Sequence, residues 1–269
     1  MKDISSRDNP LVKKLRLLAA SARACREQGE TVLDGAHLLA AALDRQWPLQ
    51  AVVVSASGAE QEEIAALLAR AGAGLPCFRL PDRLFAQLSP VDSPSGVLTL
   101  AAMPPPLAVP ASDGDWLVLD GVQDPGNLGS ILRTAAAAGI TEVLLGPGCA
   151  GVWSPRVLRA GMGAHFVLRL HEVADLPAAL AAYPGKVLAT ALSARAQDLY
   201  ATELRSPCAW LFGAEGRGLS PALRACAELE VMIPLAVGTE SLNVGAAVAV
   251  CLFEQLRQRR AAGALAAKA

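Results

Sequence analysis

The sequence predicts an α/β protein in two parts. Three observations carry this reading. Short apolar runs alternate with helix-length segments, several of those runs end in glycine-rich polar turns, and a proline-rich stretch at 101–114 (AAMPPPLAVPASDG) interrupts the alternation. Four prolines there cannot continue a helix or a central strand. The expected organisation is therefore a domain over 1–102, a linker over 103–114, a larger domain over 115–262 and a tail over 263–269. A chain of 269 residues suits two domains of ordinary size, and 53% hydrophobic residues are enough for a sizeable core.

The first part opens with a helical segment, roughly 8–27. Asp8 or Asn9 can cap it, and Pro10 suits its first turn. TVLDGAHLLAAALDR, from Thr31, reads as a strand, a glycine turn and a helix. LQAVVVSAS, EEIAALLARAG and GVLTLAA then read as strand, helix and strand. The second part repeats the rhythm with six apolar runs: WLVLDGV, TEVLLG, AHFVLRL, KVLATAL, CAWLFG and LEVMIPL. Continuous apolar runs fit a parallel sheet covered on both faces. A last helix is expected from Leu242 to Gln258. Its first half is apolar all round, so it is expected to be buried in the core or against a second subunit.

Composition narrows the function. Aromatic residues make up 4% of the chain, which excludes broad base-stacking platforms. The net charge is −1, so any nucleic-acid site must be local. Residues 1–26 carry seven Lys or Arg against two acids, a basic end suited to phosphates or simply to solvent. The six cysteines show no CxxC spacing and no nearby histidines, which argues against a zinc site or a secreted disulfide framework. The apolar stretch LLAASA is too short for a signal-peptide core, and no apolar run reaches membrane-spanning length. A soluble cytoplasmic protein without a metal is expected.

Three turns of the second part share a pattern of strand end, glycine and polar residues. They are Asp124–Arg133, Leu211–Leu219 and Ile233–Val244. Polar groups at the carboxyl ends of strands in an α/β sheet are where ligands usually bind. A fourth, Gly146–Gly151, is a literal GxGxxG after a strand and would suggest NAD-linked oxidoreduction. Pro147 and the Trp153-Ser154-Pro155 run argue against it, because no helix can open directly at the third glycine.

The segments NLGSILRTAAAAG, FGAEGRGLS and IPLAVGTESLNVGAAVA resemble, in order and spacing, the three motifs of the SpoU (TrmH-like) RNA ribose 2′-O-methyltransferases of the SPOUT class. NPLVKKLRLL, VLDGAHLL and PSGVLTL resemble that family's L30e-like substrate-binding domain. The resemblance implies a trefoil-knotted catalytic domain that binds S-adenosylmethionine (AdoMet), methylates a ribose 2′-hydroxyl of RNA, with rRNA favoured over tRNA, and works as a homodimer. It implies Arg133 as the catalytic residue, with Asn127, Glu215, Ser241 and Asn243 around it. Glu215 is expected to pair with Arg133 or Arg217, and Ser241 to cap the last helix. Gly213, Ile233 and Leu242 are implied as cofactor contacts, with Leu211 and Leu235 beside them, Gly213 letting the ligand approach the backbone. RNA contacts are expected at Arg7, Lys13, Lys14, Arg156 and Arg159. Gly161 stands where the family usually has a serine, which removes one hydroxyl. A non-catalytic RNA-binding scaffold is the competing reading. The presence of Arg133, Glu215 and Asn243 argues against it.

Overall fold

The computed structural model describes residues 1–89, 94–110 and 113–263. The tail expected over 263–269 therefore lies, beyond Gly263, outside the described residues. The chain forms two compact units, Met1–Pro105 with Gly151–Phe166, and Pro106–Ala150 with Val167–Ala269. Residues Gly151–Phe166, within the span expected to form the larger domain, thus belong to the first unit.

The first unit contains β1 (Lys2–Asp3), α1 (Pro10–Ala20), α2 (Ala22–Gln28), β2 (Glu30–Asp34), α3 (Ala36–Asp44), β3 (Leu49–Ser55), α4 (Glu62–Ala71), β4 (Cys77–Leu80), α5 (Asp82–Phe85) and β5 (Val97–Ala102). The strands form one mixed sheet in the order β1-β4-β3-β5-β2. The Val52-Val53-Val54 run is buried throughout because both faces are covered. Val53 joins a cluster with Leu15, Leu18 and Phe85, while Val52 and Val54 join one with Leu39 and Ile64. The single helix expected over 8–27 is in fact two. Ser21 takes an extended conformation (φ −140°) and its Oγ accepts the Ala24 N–H at 3.1 Å, which ends α1 and caps α2. Asn9, not Asp8, caps α1, its side chain accepting from the Leu11 N–H at 2.9 Å.

The second unit runs through β6 (Trp116–Asp120), α6 (Pro125–Ala138) and β7 (Glu142–Leu145). Helix α7 (Pro155–Gly161) lies in the segment that joins the first unit. There follow β8 (Arg169–Glu172), α8 (Leu176–Leu180), β9 (Lys186–Thr190), β10 (Gln197–Asp198), β11 (Cys208–Gly213), α9 (Pro221–Arg224), β12 (Leu229–Met232) and α10 (Val244–Ala261). All seven strands pair in parallel in the order β10-β12-β9-β11-β6-β7-β8. AHFVLRL begins its strand only at Arg169, because Ala164–Phe166 form a 3₁₀ turn. The GxGxxG segment is a turn: Gly148 sits at φ +81°, and no helix opens until Pro155. Gly146 is small for packing, since a Cβ there would lie 2.4 Å from Leu176 Cδ1.

Helix α10 is fastened at its far end. Asp115 accepts from Gln255 Nε2 at 2.9 Å, from the Cys208 N–H at 3.0 Å and from both terminal nitrogens of Arg259. Gln255 Oε1 in turn accepts from Trp210 Nε1 at 2.6 Å. The Asp115 and Arg259 side chains are only 13% and 15% exposed, so this ion pair is shielded from water. Asp115→Ala leaves Arg259 buried without its carboxylate and is expected to cost about 3 kcal/mol. Urea unfolding measures it, and a loss under about 1 kcal/mol would mean that the pair contributes no more than a surface pair does.

Candidate active site

An all-parallel sheet puts the carboxyl ends of its strands on one edge. The three motif turns follow β6, β11 and β12, which lie within four adjacent positions of the sheet, with β9 between β11 and β12. Sequence separations of about a hundred residues thus collapse onto one rim.

Each turn has a local reason for its shape. Asp124 caps α6, its Oδ1 accepting the Asn127 N–H at 2.7 Å, with Pro125 in the first turn. Asn127 therefore sits in the first turn of α6. After β11, the chain folds back so that the Gly218 N–H donates to the Ala214 carbonyl at 2.8 Å. Gly213 is small for this fold-back. A Cβ there would lie 2.1 Å from the Gly218 carbonyl carbon, so the folded-back loop packs directly against the Gly213 backbone. Asn243 caps α10, its Oδ1 accepting from the N–H groups of Gly245 at 2.9 Å and Ala246 at 3.2 Å. The helix starts at Val244, not Leu242, and the cap is Asn243 rather than Ser241.

The turns are joined by side chains. Glu215 Oε1 accepts from Asn127 Nδ2 at 2.5 Å and from Asn243 Nδ2 at 3.0 Å, and Asn243 Nδ2 also reaches Asn127 Oδ1 at 3.0 Å. Glu215 thus holds two amides, not Arg133 or Arg217 as expected. The arrangement explains the residue types. Asn243 must accept at its oxygen and donate at its nitrogen, which an aspartate cannot do. Gly245 lets this end of α10 sit against α6, since a Cβ there would lie 3.0 Å from Ser130 Oγ.

Beside this network lies a cavity of about 620 Å³. Of the residues expected at a cofactor, Gly213, Ile233, Leu235 and Leu242 line it, as do Glu215, Ser241 and Asn243. Leu211 does not: it is buried in the core with Trp116 and Val118. Arg133 is exposed on α6, is not part of the cavity wall and makes no ion pair among the described residues. The expected RNA contacts all fall in the first unit. Arg7 and Arg156 are exposed, Lys13 pairs with Asp8 at 3.1 Å, and Lys14 pairs with Glu30. Arg159 donates to Asp34 Oδ2 at 2.7 Å, and that carboxylate is fully buried, so Arg159 serves the framework of its unit. Thr190, Leu192, Arg217 and Arg224 also line the cavity, and of these only Arg217 was expected from the sequence, as a partner for Glu215. Thr190 and Leu192 lie in the run KVLATAL, Thr190 as the last residue of β9, and that run's ending carries no glycine to single it out.

The cavity size is typical of a small-molecule site. Its walls expose hydrocarbon to water: Leu192 is 62% and Leu242 39% exposed. Such surface suits a ligand with a flat apolar part, while Glu215, Arg217 and Arg224 offer charges of both signs. Gly213→Ala is expected to destabilise the unit by about 1–3 kcal/mol, because the displaced atoms are backbone. Thermal melting tests it, and a variant as stable as the parent would show that the loop yields freely.

Comparison with known proteins agrees with this geometry. The SpoU rRNA Methylase family matches residues 116–253, and the MRM3-like substrate binding domain matches residues 9–99. An uncharacterized tRNA/rRNA methyltransferase of Synechocystis sp. is 35% identical over 96% of this chain and 95% of its own length. The 23S rRNA (guanosine(2553)-2′-O)-methyltransferase of Bacillus subtilis is 31% identical over 94% of this chain and 98% of its own. The AdoMet-bound rRNA methyltransferase from Sinorhizobium meliloti superposes with a TM-score of 0.81 at 29% identity, covering 95% of this chain and 97% of that one. With its three motif turns on one rim and relatives aligned nearly end to end, the chain belongs to the SpoU rRNA Methylase family.

Proposed function

We propose that this protein transfers the methyl group of AdoMet to a ribose 2′-hydroxyl of ribosomal RNA. The observation that carries the reading is the Asn127–Glu215–Asn243 network on the rim of a cavity whose apolar walls suit the adenosine of that cofactor. Family membership and the Bacillus subtilis relative, whose name states 2′-O-methylation of 23S rRNA, support it. Ile233, Leu235 and Leu242 would hold the adenine and Gly213 the shape of the loop beside it. AdoMet supplies a sulfonium-activated methyl group.

The chain's own residues prepare the acceptor. A ribose hydroxyl is a poor nucleophile unless its developing negative charge is stabilised. Arg133 is exposed and makes no ion pair among the described residues, and so can meet the substrate ribose. A guanidinium rarely loses its proton, so its role is to position the hydroxyl and stabilise the alkoxide as it forms. Glu215 orients the two amides, and Ser241 stands at the cavity with its hydroxyl uncommitted among the described residues.

The first unit is assigned the RNA grip, through Arg7, Lys13, Lys14 and Arg156. A threaded backbone at the carboxyl end and a homodimer belong to the same reading. On α10 the side opposite Val248 and Leu252 leaves Ala246 and Phe253 exposed, and a second copy would cover them. No helix among the described residues is long and apolar enough to cross a membrane. We place the enzyme in the cytoplasm with its RNA.

Methyl incorporation from labelled AdoMet into unmodified rRNA tests the proposal. RNA binding without transfer would favour the scaffold reading instead. Arg133→Ala is expected to lower the turnover rate about 10²–10³-fold, the scale of losing one stabilising donor. AdoMet affinity by calorimetry is expected to stay at the parent value. Near-parent methylation by this variant would remove Arg133 from the mechanism.

A further inference from the structure

One wall of the cavity is held by a cluster that the methyl-transfer chemistry leaves unused. Glu230, on β12, takes the side of the Arg224 guanidinium as a fork, from Nε at 2.5 Å and from Nη2 at 2.9 Å. The same carboxylate accepts from Ser193 Oγ at 2.5 Å. Arg224 lines the cavity, and Ser193 follows directly on Thr190, Ala191 and Leu192, which line it too. Glu230 therefore ties together three segments: its own strand, helix α9 and the loop leaving β9.

We propose that Glu230 is a positioning residue for the methyl donor, clamping Arg224 and Ser193 so that this wall stands formed before the cofactor enters. The inference rests on the reading that the cavity takes AdoMet. The loop needs such a clamp. Leu192 is mostly exposed, and the backbone holds the loop to β12 through the Ala191 N–H, which donates to the Val231 carbonyl at 3.0 Å. Helix α9 is a single turn of four residues, too short to order a long side chain by itself. A lone surface ion pair contributes little. A forked guanidinium and a hydroxyl on one carboxylate form a network with a defined geometry. Glu230 is also the less exposed partner, at 22% against 47% for Arg224.

The charge of the clamp is secure. Arg224 first, then Ser193, holds the Glu230 carboxyl down at about 2, against burial, with Arg195 adding a smaller pull. A depressed carboxyl keeps its contribution above its unfolded value and loses it only as pH falls through the folded one. The clamp is closed across the neutral range. Ordering a loop during binding weakens affinity, whereas a preformed wall does not carry that cost. Glu230 should consequently act on cofactor affinity and not on the chemical step.

The test is calorimetric titration of AdoMet into the full chain and into Glu230→Gln, Ser193→Ala and Ser193→Thr, with single-turnover methylation at saturating AdoMet. Glu230→Gln is expected to weaken AdoMet about 10-fold, and Ser193→Ala roughly 3-fold, with the single-turnover rate within about twofold of the parent. Ser193→Thr keeps the hydroxyl and is expected to bind as the parent does. Unchanged affinity in both Glu230→Gln and Ser193→Ala, beside a parent that binds, would overturn the clamp. So would a saturated rate that falls in step with affinity. If Glu230→Gln fails to fold, the Ser193 pair decides alone. A parent that gives no heat with AdoMet would overturn the cofactor reading itself, and the clamp with it.

Discussion

The carboxamide of Asn243 is the interaction on which the site depends. Its oxygen caps α10 and its nitrogen reaches Glu215 and Asn127. One side chain thus fixes where the last helix begins and how the three motif turns meet. Neither end is optional. A serine would cap the helix without a second arm, and an aspartate would face Glu215 with like charge. Glu215 is satisfied by two neutral amides, and Arg133 and Arg217 stay exposed with no ion pair among the described residues.

That meeting is possible because the sheet is parallel throughout. Strands β6, β11 and β12 deliver their turns to one edge, and β9 adds a fourth loop between them. Close backbone packing then replaces side chains at two places. Gly213 admits the folded-back loop, and Gly245 admits the start of α10 against α6. The Asp115–Arg259 pair anchors the other end of α10, far along the chain from its cap. A helix held at both ends can support a rigid rim, which is what a preorganised site needs.

The Glu230 cluster extends the same design to the far wall. Arg224 lines the cavity while Glu230 and Ser193, which hold it, do not, so the wall is shaped partly by contacts behind it. Sites of this kind owe their affinity partly to order that exists before binding.

The sequence by itself determined the α/β class, the apolar runs that became most of the strands, and the three motif turns with their asparagines. Those features are local: strand periodicity, turn chemistry and caps act over a few residues. Tertiary structure alone decided the rest. It gave Glu215 amide partners in place of an arginine. It sank Leu211 into the core and brought Thr190 and Arg224 to the cavity. It also turned Arg159 from a surface cation into the partner of a buried carboxylate. Each of these depends on which residues meet across a hundred positions or on which face of a strand looks inward, and spacing along the chain does not specify either.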